Sequence, residues 1–392
     1  MSNIYEEALK KHEEWKGKLS VELKAKLENK EDLSIAYTPG VAEPCREIAK
    51  DKENAYKYTW KGNIVAVISD GTAVLGLGDI GPEASLPVME GKCALFKKFA
   101  NVNAVPVVLD TKDPKEIINI VKAIAPTYGG INLEDISAPR CVEIERALIE
   151  ELEIPVFHDD QHGTAIVVTA ALINSLKIVN KKAEDITAVV SGTGAAGFSI
   201  IKMIKQLGVK NIYAFNRKGV LNKDDIDEYN FVQKEIAEIT NANKEKISLK
   251  EAMAKSDLFI GVSGPKVIDK EMVASMNENS IVFAMANPEP EISYEESIEA
   301  GARVVGTGRS DFPNQINNVL AFPGLFKGAL ESKSKKITEE MKMAAAIGIS
   351  KLVSDEELKE DYIIPSAFDE RVAETVSIEV AKKAKELGIT RE

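Results

Sequence analysis

Acidic residues follow two separate apolar segments of the chain, and together they could hold a metal ion. Glu134 and Asp135 end one segment, and Asp159 and Asp160 follow another. Either pair on its own would more often be a solvated surface. Several carboxylates at one place would repel one another unless a cation or protons compensated their charge. Because oxygen ligands suit Mg²⁺ or Mn²⁺ better than Zn²⁺, the two pairs predict a magnesium or manganese site if the fold brings them together.

Two of the three histidines, His158 and His162, flank the second acidic pair. Their i, i+4 spacing would serve zinc only on a helix, and the apolar run before His158 indicates the end of a strand. We therefore expect these histidines to orient a carboxylate or cap a helix rather than bind zinc.

A glycine-rich turn in the second half of the chain points to a different ligand. Gly192, Gly194 and Gly197 form the pattern G-x-G-x-x-G directly after an apolar strand-like run and before a predicted helix. Such glycines allow a tight turn, a close approach of the backbone to a pyrophosphate and close helix–strand packing. The helix N-terminus then offers N–H groups to the phosphates. The alternative is a purely structural turn, but the strand–turn–helix context favours a dinucleotide.

The end of the next predicted strand bears on the choice of dinucleotide. Folds that prefer NAD usually carry Asp or Glu there to bind the ribose hydroxyls. This chain has Asn216, Arg217 and Lys218 instead, with no carboxylate among them. Although these residues could form only a solvated loop, we expect NADP to be accepted at least as well as NAD.

Alternating strands and helices must position these residues, and their spacing predicts parallel, helix-covered sheets. We therefore predict an α/β fold of two domains. Residues 1–160 would form an N-terminal α/β domain with a parallel sheet, and 161–392 a doubly wound, Rossmann-type NAD(P)-binding domain with C-terminal helices. Residues 4–30 are predicted to form short amphipathic helices in an arm that packs on another subunit. The predicted strands cover 63–69, 103–109, 129–135, 154–157, 185–190, 211–215, 258–262, 280–285 and 303–305, and the principal helices 87–100, 113–125, 139–152 and 164–178.

Composition narrows the function further. The 392 residues carry a formal net charge of −12, which argues against nucleic acids and anionic membranes as general partners. Three cysteines without a C-x-x-C pattern indicate free thiols in a reducing compartment. No leader pattern is evident and no stretch approaches about 18 uninterrupted apolar residues. We expect a cytoplasmic protein with a small-molecule substrate.

Several sequence blocks together closely resemble the malic enzymes in their short prokaryotic form. This resemblance implies oxidative decarboxylation of (S)-malate to pyruvate and CO₂ with NAD or NADP and a divalent metal such as Mg²⁺ or Mn²⁺. The blocks span nearly the whole chain: 37–44 (YTPGVAEP), 69–79 (SDGTAVLGLGD), 89–92 (MEGK), 132–136 (NLEDI), 157–165 (FHDDQHGTA), 286–288 (ANP) and 317–324 (NNVLAFPG).

The resemblance also implies catalytic roles. Lys92 resembles the general base that removes the C2 hydroxyl proton, and Tyr37 the general acid that protonates C3 after CO₂ is lost. Asp159 resembles an acid that supports the metal ligands without joining them. Lys92 must be neutral in this role, so we expect burial, or a place at a helix start after Gly91, to lower its pKa. The implied metal ligands are Glu134, Asp135 and Asp160.

Binding residues follow from the same comparison. Asn287 and Asn318 resemble amides that hold the substrate carboxylate and the nicotinamide side of the site, with Lys92 also facing the substrate. One departure is clear, because Thr72 and Ala73 stand where larger members carry an arginine that clamps the substrate. Either backbone and asparagine groups or another cation would replace it. The implied dinucleotide contacts are Gly192, Thr193, Gly194, Ala195, Ala196, Gly197, Asn216, Arg217 and Asn287.

Two other functions stay open from the sequence. One is a malolactic-type enzyme that retains NAD and releases lactate. The other is an NAD(P)-binding regulatory protein without catalysis, which the presence of both Lys92 and Tyr37 disfavours. The family resemblance further implies a homodimer formed through the N-terminal arm.

Overall fold

The computed structural model describes residues 4–74 and 76–391, so Leu75 of the block at 69–79 lies outside the described residues. In the described part of the chain, the strands are β1 (Ile64–Ser69), β2 (Asn103–Val108), β3 (Gly130–Leu133), β4 (Val156–His158), β5 (Thr187–Ser191), β6 (Asn211–Asn216), β7 (Gly219–Val220), β8 (Leu258–Gly261), β9 (Ile281–Ala284) and β10 (Val304–Thr307). The α-helices are α1 (Ile4–Trp15), α2 (Lys30–Ala36), α3 (Ala42–Lys50), α4 (Ala55–Tyr58), α5 (Pro82–Ala100), α6 (Pro114–Ile124), α7 (Arg140–Glu151), α8 (Asp159–Val179), α9 (Ala195–Leu207), α10 (Phe231–Ile239), α11 (Leu249–Met253), α12 (Lys270–Ala274), α13 (Tyr294–Glu299), α14 (Phe322–Glu331), α15 (Glu339–Ser350) and α16 (Arg371–Glu386).

The first sheet is parallel and has the strand order β2-β1-β3-β4. β1 is apolar, rich in β-branched residues and buried along its whole length, as expected of an interior strand. In the register of β3 and β4, Leu133 pairs with His158. The acidic residues that follow these two strands therefore leave the sheet at the same edge.

The second sheet has the order β10-β9-β8-β5-β6-β7, parallel except for the short β7, which runs antiparallel to β6. β5 leads into the glycine-rich turn and α9. Gly192 has a φ of +112°, and a Cβ on Gly197 would lie 1.9 Å from the carbonyl oxygen of Gly192. A side chain at either position would therefore strain or block the turn. The two sheets confirm the predicted α/β class.

The helices near the end of the chain cover the first sheet. Phe322 and Phe326 of α14 pack edge-on against Phe96 of α5, with ring centroids 4.8 and 5.4 Å apart. Phe326 also contacts Phe157 of β4, and its ring fills the space where Gly130 has no side chain. Segments from opposite ends of the sequence thus share one hydrophobic core, which the order of elements along the chain does not reveal.

Helix boundaries differ from the predictions in three places. α5 begins at Pro82 and α8 at Asp159, both five residues earlier than predicted. The predicted helical spacing over 16–30 is wrong, because after α1 the backbone turns through positive φ at Lys16 and Gly17. α8 is long and apolar enough to cross a membrane by length and composition, but 78% of its most apolar window is buried inside the protein. It is the central helix of the core.

Candidate active site

Three carboxylates meet at the edge of the first sheet, beyond the ends of β3 and β4. Glu134, Asp135 and Asp160 each offer an oxygen within 4.8 Å of the other two. The backbone N–H of Asp135 donates to Oδ2 of Asp160 at 2.8 Å, which ties the two loops together. Oδ2 of Asp135 is buried and has no hydrogen-bond partner among the described residues.

Burial makes this carboxylate group electrostatically unfavourable. It raises the pKa of Glu134 to about 7, that of Asp135 to about 9 and that of Asp160 to about 6. For Asp135, the charges of Asp160 and Glu134 add to the effect of burial. A divalent cation would compensate this repulsion, and an all-oxygen ligand set fits Mg²⁺ or Mn²⁺. The residues present therefore fit the metal that the sequence predicted.

Lys92 is buried beside these acids, in the middle of α5. Its Nζ lies 2.5 Å from Oδ2 of Asp159, 2.8 Å from Oε1 of Glu134 and 4.0 Å from the ring centroid of Phe322. The expected place at a helix start is wrong, because α5 begins at Pro82. The expected lowering of the pKa is also not found. Burial acts to lower it, but the charges of Asp159 and Glu134 outweigh burial and raise the pKa of Lys92.

Asp159 connects Lys92 to another predicted site residue. Its Oδ2 accepts hydrogen bonds from Lys92 Nζ and from the side-chain amide of Asn318. Gly163, one turn along α8, leaves room for this carboxylate, since a Cβ there would lie 1.9 Å from Oδ1 of Asp159. Burial raises the pKa of Asp159 to about 7, against the opposing effect of Lys92. Asp159 thus aligns the amine and the amide.

The structure does not bring Tyr37 or Asn287 into this cluster. Tyr37 follows α2 and is 66% exposed. The amide of Asn287 donates to the carbonyl oxygen of Met285 at 3.3 Å. Within the described residues, no hydrogen bond joins either side chain to Lys92 or to the three acids.

A cavity of about 820 Å³ opens at the glycine-rich turn. Gly192, Thr193, Gly194, Asn216 and Arg217 line it, as predicted for dinucleotide contacts. Three other predicted contacts follow the turn: Ala195 and Ala196 begin α9, and Gly197 packs against the carbonyl oxygen of Gly192. Two residues of the first domain that the sequence did not predict also line the cavity, Ala138 and Pro139.

The cavity also holds a carboxylate. Glu228 lines it, although the residues at the end of β6, Asn216, Arg217 and Lys218, include no acid. Its Oε2 lies 3.4 Å from Nζ of Lys218. The side-chain oxygen of Asn216 accepts from the backbone N–H groups of Lys218 and Gly219. Arg217 forms no ion pair with any described residue and remains the available cation.

A cation lies beside the position that lacks the arginine of larger family members. Nη2 of Arg140 donates to Oγ1 of Thr72 at 2.9 Å and lies 2.9 Å from Oδ2 of Asp70. The backbone N–H of Ala73 donates to the carbonyl oxygen of Asp135 at 2.9 Å, so this turn borders the three acids. Arg140 is thus a cation near Thr72, and its guanidinium is already paired with Asp70.

Sequence reasoning missed the buried polar contacts of Asn132, Glu145 and Lys342 around the site. Asn132 donates to Oε2 of Glu134 at 2.8 Å. His162, which the sequence singled out, contacts both Glu145 and Lys342. Glu145 lies on the buried stripe of α7 between Ile144 and Leu148. A charged residue on an apolar helix face is a signal that could have identified it.

Comparison with known proteins agrees with the resemblance in the sequence. The family model described as the malic enzyme N-terminal domain matches residues 16–149, and that of the malic enzyme NAD-binding domain matches 161–385. The chain is 54% identical to the bifunctional malic/malolactic enzyme of Bacillus subtilis, over 99% of this chain and 95% of that protein. It is 46% identical to the NADP-dependent malic enzyme of Halomonas elongata, over 96% and 92%. The crystal structure of the NAD-dependent malic enzyme from Thermotoga maritima superposes with a TM-score of 0.92 at 49% identity, over 95% and 98%.

Proposed function

The chain belongs to the malic enzyme family, and we propose that it converts malate to pyruvate and CO₂ with reduction of NAD or NADP. One observation carries the proposal. A buried lysine lies within hydrogen-bond distance of two carboxylates, one of which belongs to a group of three acids that fits a divalent metal. This arrangement suits abstraction of a hydroxyl proton from a chelating 2-hydroxy acid.

Glu134, Asp135 and Asp160 are the proposed ligands of Mg²⁺ or Mn²⁺. When bound, such a cation supplies positive charge that offsets the carboxylates and polarises the oxygen of the substrate hydroxyl. Because its neighbours keep Lys92 in the ammonium form, Lys92 must first pass a proton to Asp159, 2.5 Å away, whose own pKa is raised to about 7. The neutral Nζ of Lys92 then takes the hydroxyl proton of the substrate. The amide of Asn318 and the ammonium form of Lys92 provide donors for the substrate carboxylate.

The N-terminal arm supports a homodimer. In residues 4–37, large apolar side chains lie more than half exposed, including Ile4, Leu9, Val21, Leu23, Leu33 and Ile35. So many exposed large apolar side chains in one segment favour an interface, and a second copy is the partner we propose. Tyr37 ends this exposed stretch. In the proposed dimer, the proposed general acid would therefore be shielded from solvent at the subunit boundary.

Light scattering on the purified protein tests the assembly. We expect twice the chain mass of 42.7 kDa. Leu23→Asp should weaken the dimer, whereas the matched surface change Lys24→Asp should leave it intact. A wild-type monomer at micromolar concentration would contradict the proposal.

We propose that the protein uses NADP at least as well as NAD. Two features support this proposal: the cation Arg217, and the absence of an acid among the last residues of β6. Glu228, the carboxylate in the cavity, has its charge compensated by Lys218. The unpaired guanidinium of Arg217 is then available to a 2′-phosphate. A comparison of kcat/KM for the two cofactors tests this proposal, and a strong preference for NAD would refute it.

The decisive experiment is a malate-dependent cofactor assay at 340 nm with Mn²⁺ or with EDTA. With Mn²⁺, we expect the absorbance of the reduced cofactor to rise in step with the formation of pyruvate. With EDTA, we expect no such rise. Undiminished turnover in EDTA would exclude the metal-dependent reaction.

The name of the Bacillus subtilis relative favours one second candidate, malolactic conversion. Lactate formed without net reduced cofactor would support it.

We also propose a cytoplasmic location and a small-molecule substrate, with no nucleic acid or membrane as partner. The three cysteines are free thiols, two of them buried, which suits a reducing compartment. The net charge of −12 suits neither polyanionic nucleic acid nor an anionic lipid surface. Fractionation of cells followed by immunodetection tests the location.

A further inference from the structure

Glu145 binds both ends of the short segment that carries Asp159 and Asp160. Its Oε1 accepts from the backbone N–H of His158 at 2.8 Å, and its Oε2 contacts Nε2 of His162 at 2.8 Å. Glu145 is buried on α7, and so are both of its partners. One carboxylate therefore fixes the residue before Asp159 and the residue two places after Asp160.

Lys342 of α15 sets the orientation and the tautomer of His162. Its buried Nζ lies 3.0 Å from Nδ1 of His162 and 2.8 Å from Oε1 of Glu339. Since an ammonium group can only donate, Nδ1 must accept, and the ring proton is then on Nε2. The Nε2–H group consequently donates to Glu145. The ring has one hydrogen-bonding arrangement that satisfies both neighbours.

This chain of contacts joins an anion to a cation through a neutral ring. Burial acts against the ionised form of Glu145, but His162 and Lys342 lower its pKa. An anionic Glu145, a neutral His162 and a cationic Lys342, all three buried, satisfy one another's hydrogen bonds. The contacts thus connect Lys342 of α15 to His162 of α8, and His162 to Glu145 of α7.

We propose that Glu145, His162 and Lys342 are positioning residues that hold Asp159 and Asp160 in the geometry required for metal binding. This inference rests on the proposed function. None of the three touches the acid cluster, yet their hydrogen bonds end on the backbone and side chains that bracket it. Loss of either ion would free the first turn of α8. Asp160 would then lose its alignment with Asp135 and Glu134. Changes of this kind in groups that orient metal ligands typically weaken metal binding 10- to 100-fold.

The test is Mn²⁺ affinity, measured by electron paramagnetic resonance of free Mn²⁺ in the absence of malate and cofactor. We expect Glu145→Gln and Lys342→Met to raise the Kd at least about 10-fold, with NADPH affinity within about twofold of wild type. Lys342→Arg, which keeps a cationic donor, should restore much of the affinity. If Glu145→Gln and Lys342→Met both bound Mn²⁺ as tightly as the wild-type protein, the inference would be overturned.

Asn174→Ala is the matched control for a merely structural effect. Asn174 is a buried polar residue of α8, remote from the first turn of that helix. Its side-chain amide donates to the carbonyl oxygens of Ser350 and Ile363. The Asn174→Ala substitution should lower the Tm without changing the affinity for Mn²⁺. If Glu145→Gln and Lys342→Met lowered only the Tm, as this control is expected to, a positioning role for Glu145 and Lys342 would be excluded. Failure of the wild-type protein to bind Mn²⁺ would instead refute the metal site itself.

Discussion

Oδ2 of Asp159 lies 2.5 Å from Nζ of Lys92, and the same oxygen also accepts from Asn318. A single buried carboxylate thus orients the proposed base and one of the proposed substrate ligands. Its partner amine is in turn held by Glu134, a proposed metal ligand. In the proposed function, proton transfer and metal binding are coupled through these contacts, and the coupling predicts measurable consequences.

Replacing Lys92 should separate catalysis from metal binding. Lys92→Ala removes the proposed base, and we expect kcat for malate oxidation to fall by about 10² to 10⁴ or more. It also removes a positive charge beside Glu134, so Mn²⁺ should bind more tightly than to wild type. Lys97→Ala, an exposed change on the same helix, is the control. Weaker Mn²⁺ binding in Lys92→Ala would contradict the electrostatic argument.

Tyr37→Phe should impair the second half of the reaction more than the first. We expect reduction of oxaloacetate to persist while tautomerisation of enolpyruvate is lost, because only the latter needs the phenol proton. If Tyr37 serves the other subunit, mixing Tyr37→Phe with Lys92→Ala chains should recover on the order of a quarter of wild-type activity in random heterodimers. Equal loss in every partial reaction would exclude the assigned role.

Gly163→Ala should displace Asp159. The added Cβ would lie 1.9 Å from Oδ1 of Asp159 and 3.0 Å from Cβ of Asn318, so the carboxylate must move. We expect a loss of at least about 10-fold in kcat through misplacement of Lys92. Gly91→Ala is the matched control, since no atom lies within 4 Å of a Cβ there. It should keep activity and stabilise α5 by up to about 1 kcal/mol. Equal kcat in the two variants would refute the steric argument.

Asp135→Asn should stabilise the protein in EDTA and abolish stabilisation by Mn²⁺. Because the pKa of Asp135 is raised to about 9, the folded state binds a proton that the unfolded chain loses above about pH 4. Its contribution to stability is present at low pH and is lost as the pH rises toward 9. Calorimetry in EDTA should show the wild-type Tm falling between pH 5 and 9 more steeply than that of the variant. Parallel curves would contradict the prediction.

Arg217→Ala should discriminate between the two cofactors. A charge-assisted hydrogen bond to a 2′-phosphate would be lost, so kcat/KM for NADP should fall about 10- to 100-fold, while that for NAD changes little. Lys210→Ala, just before the start of β6, is the control and should affect neither cofactor. An equal decrease for both cofactors would show that Arg217 binds a part they share.

The elements that sequence analysis predicted best are those with a strong local signal. Each predicted strand is present because apolar, β-branched runs such as β1 have few alternatives to burial. The starts of α5 and α8 were missed because their first turns are polar or contain proline, which resembles loop chemistry. Residues 158–162 illustrate this, since four of their five polar side chains, those of His158, Asp159, Gln161 and His162, are buried rather than solvated.

The acid cluster was predictable because parallel strands end at a common edge, so the position of each pair along the chain was enough. The only signal for Glu145 was its place on an apolar helix face. The contact of Lys342 with His162 was not predictable, because 180 residues separate the two in sequence. The same holds for the pKa of Lys92. Burial alone predicts a decrease, and only the distances to Asp159 and Glu134 show that their charges outweigh it.

The packing of α14 on the first sheet has a consequence for biosynthesis. When a ribosome has completed residues 1–160, Phe96 and Phe157 still lack the aromatic rings that will cover them, because Phe322 and Phe326 have not yet been translated. The N-terminal half therefore cannot reach its native state during synthesis until nearly the whole protein has emerged. A nascent chain stalled near residue 300 should remain sensitive to protease in its oldest part.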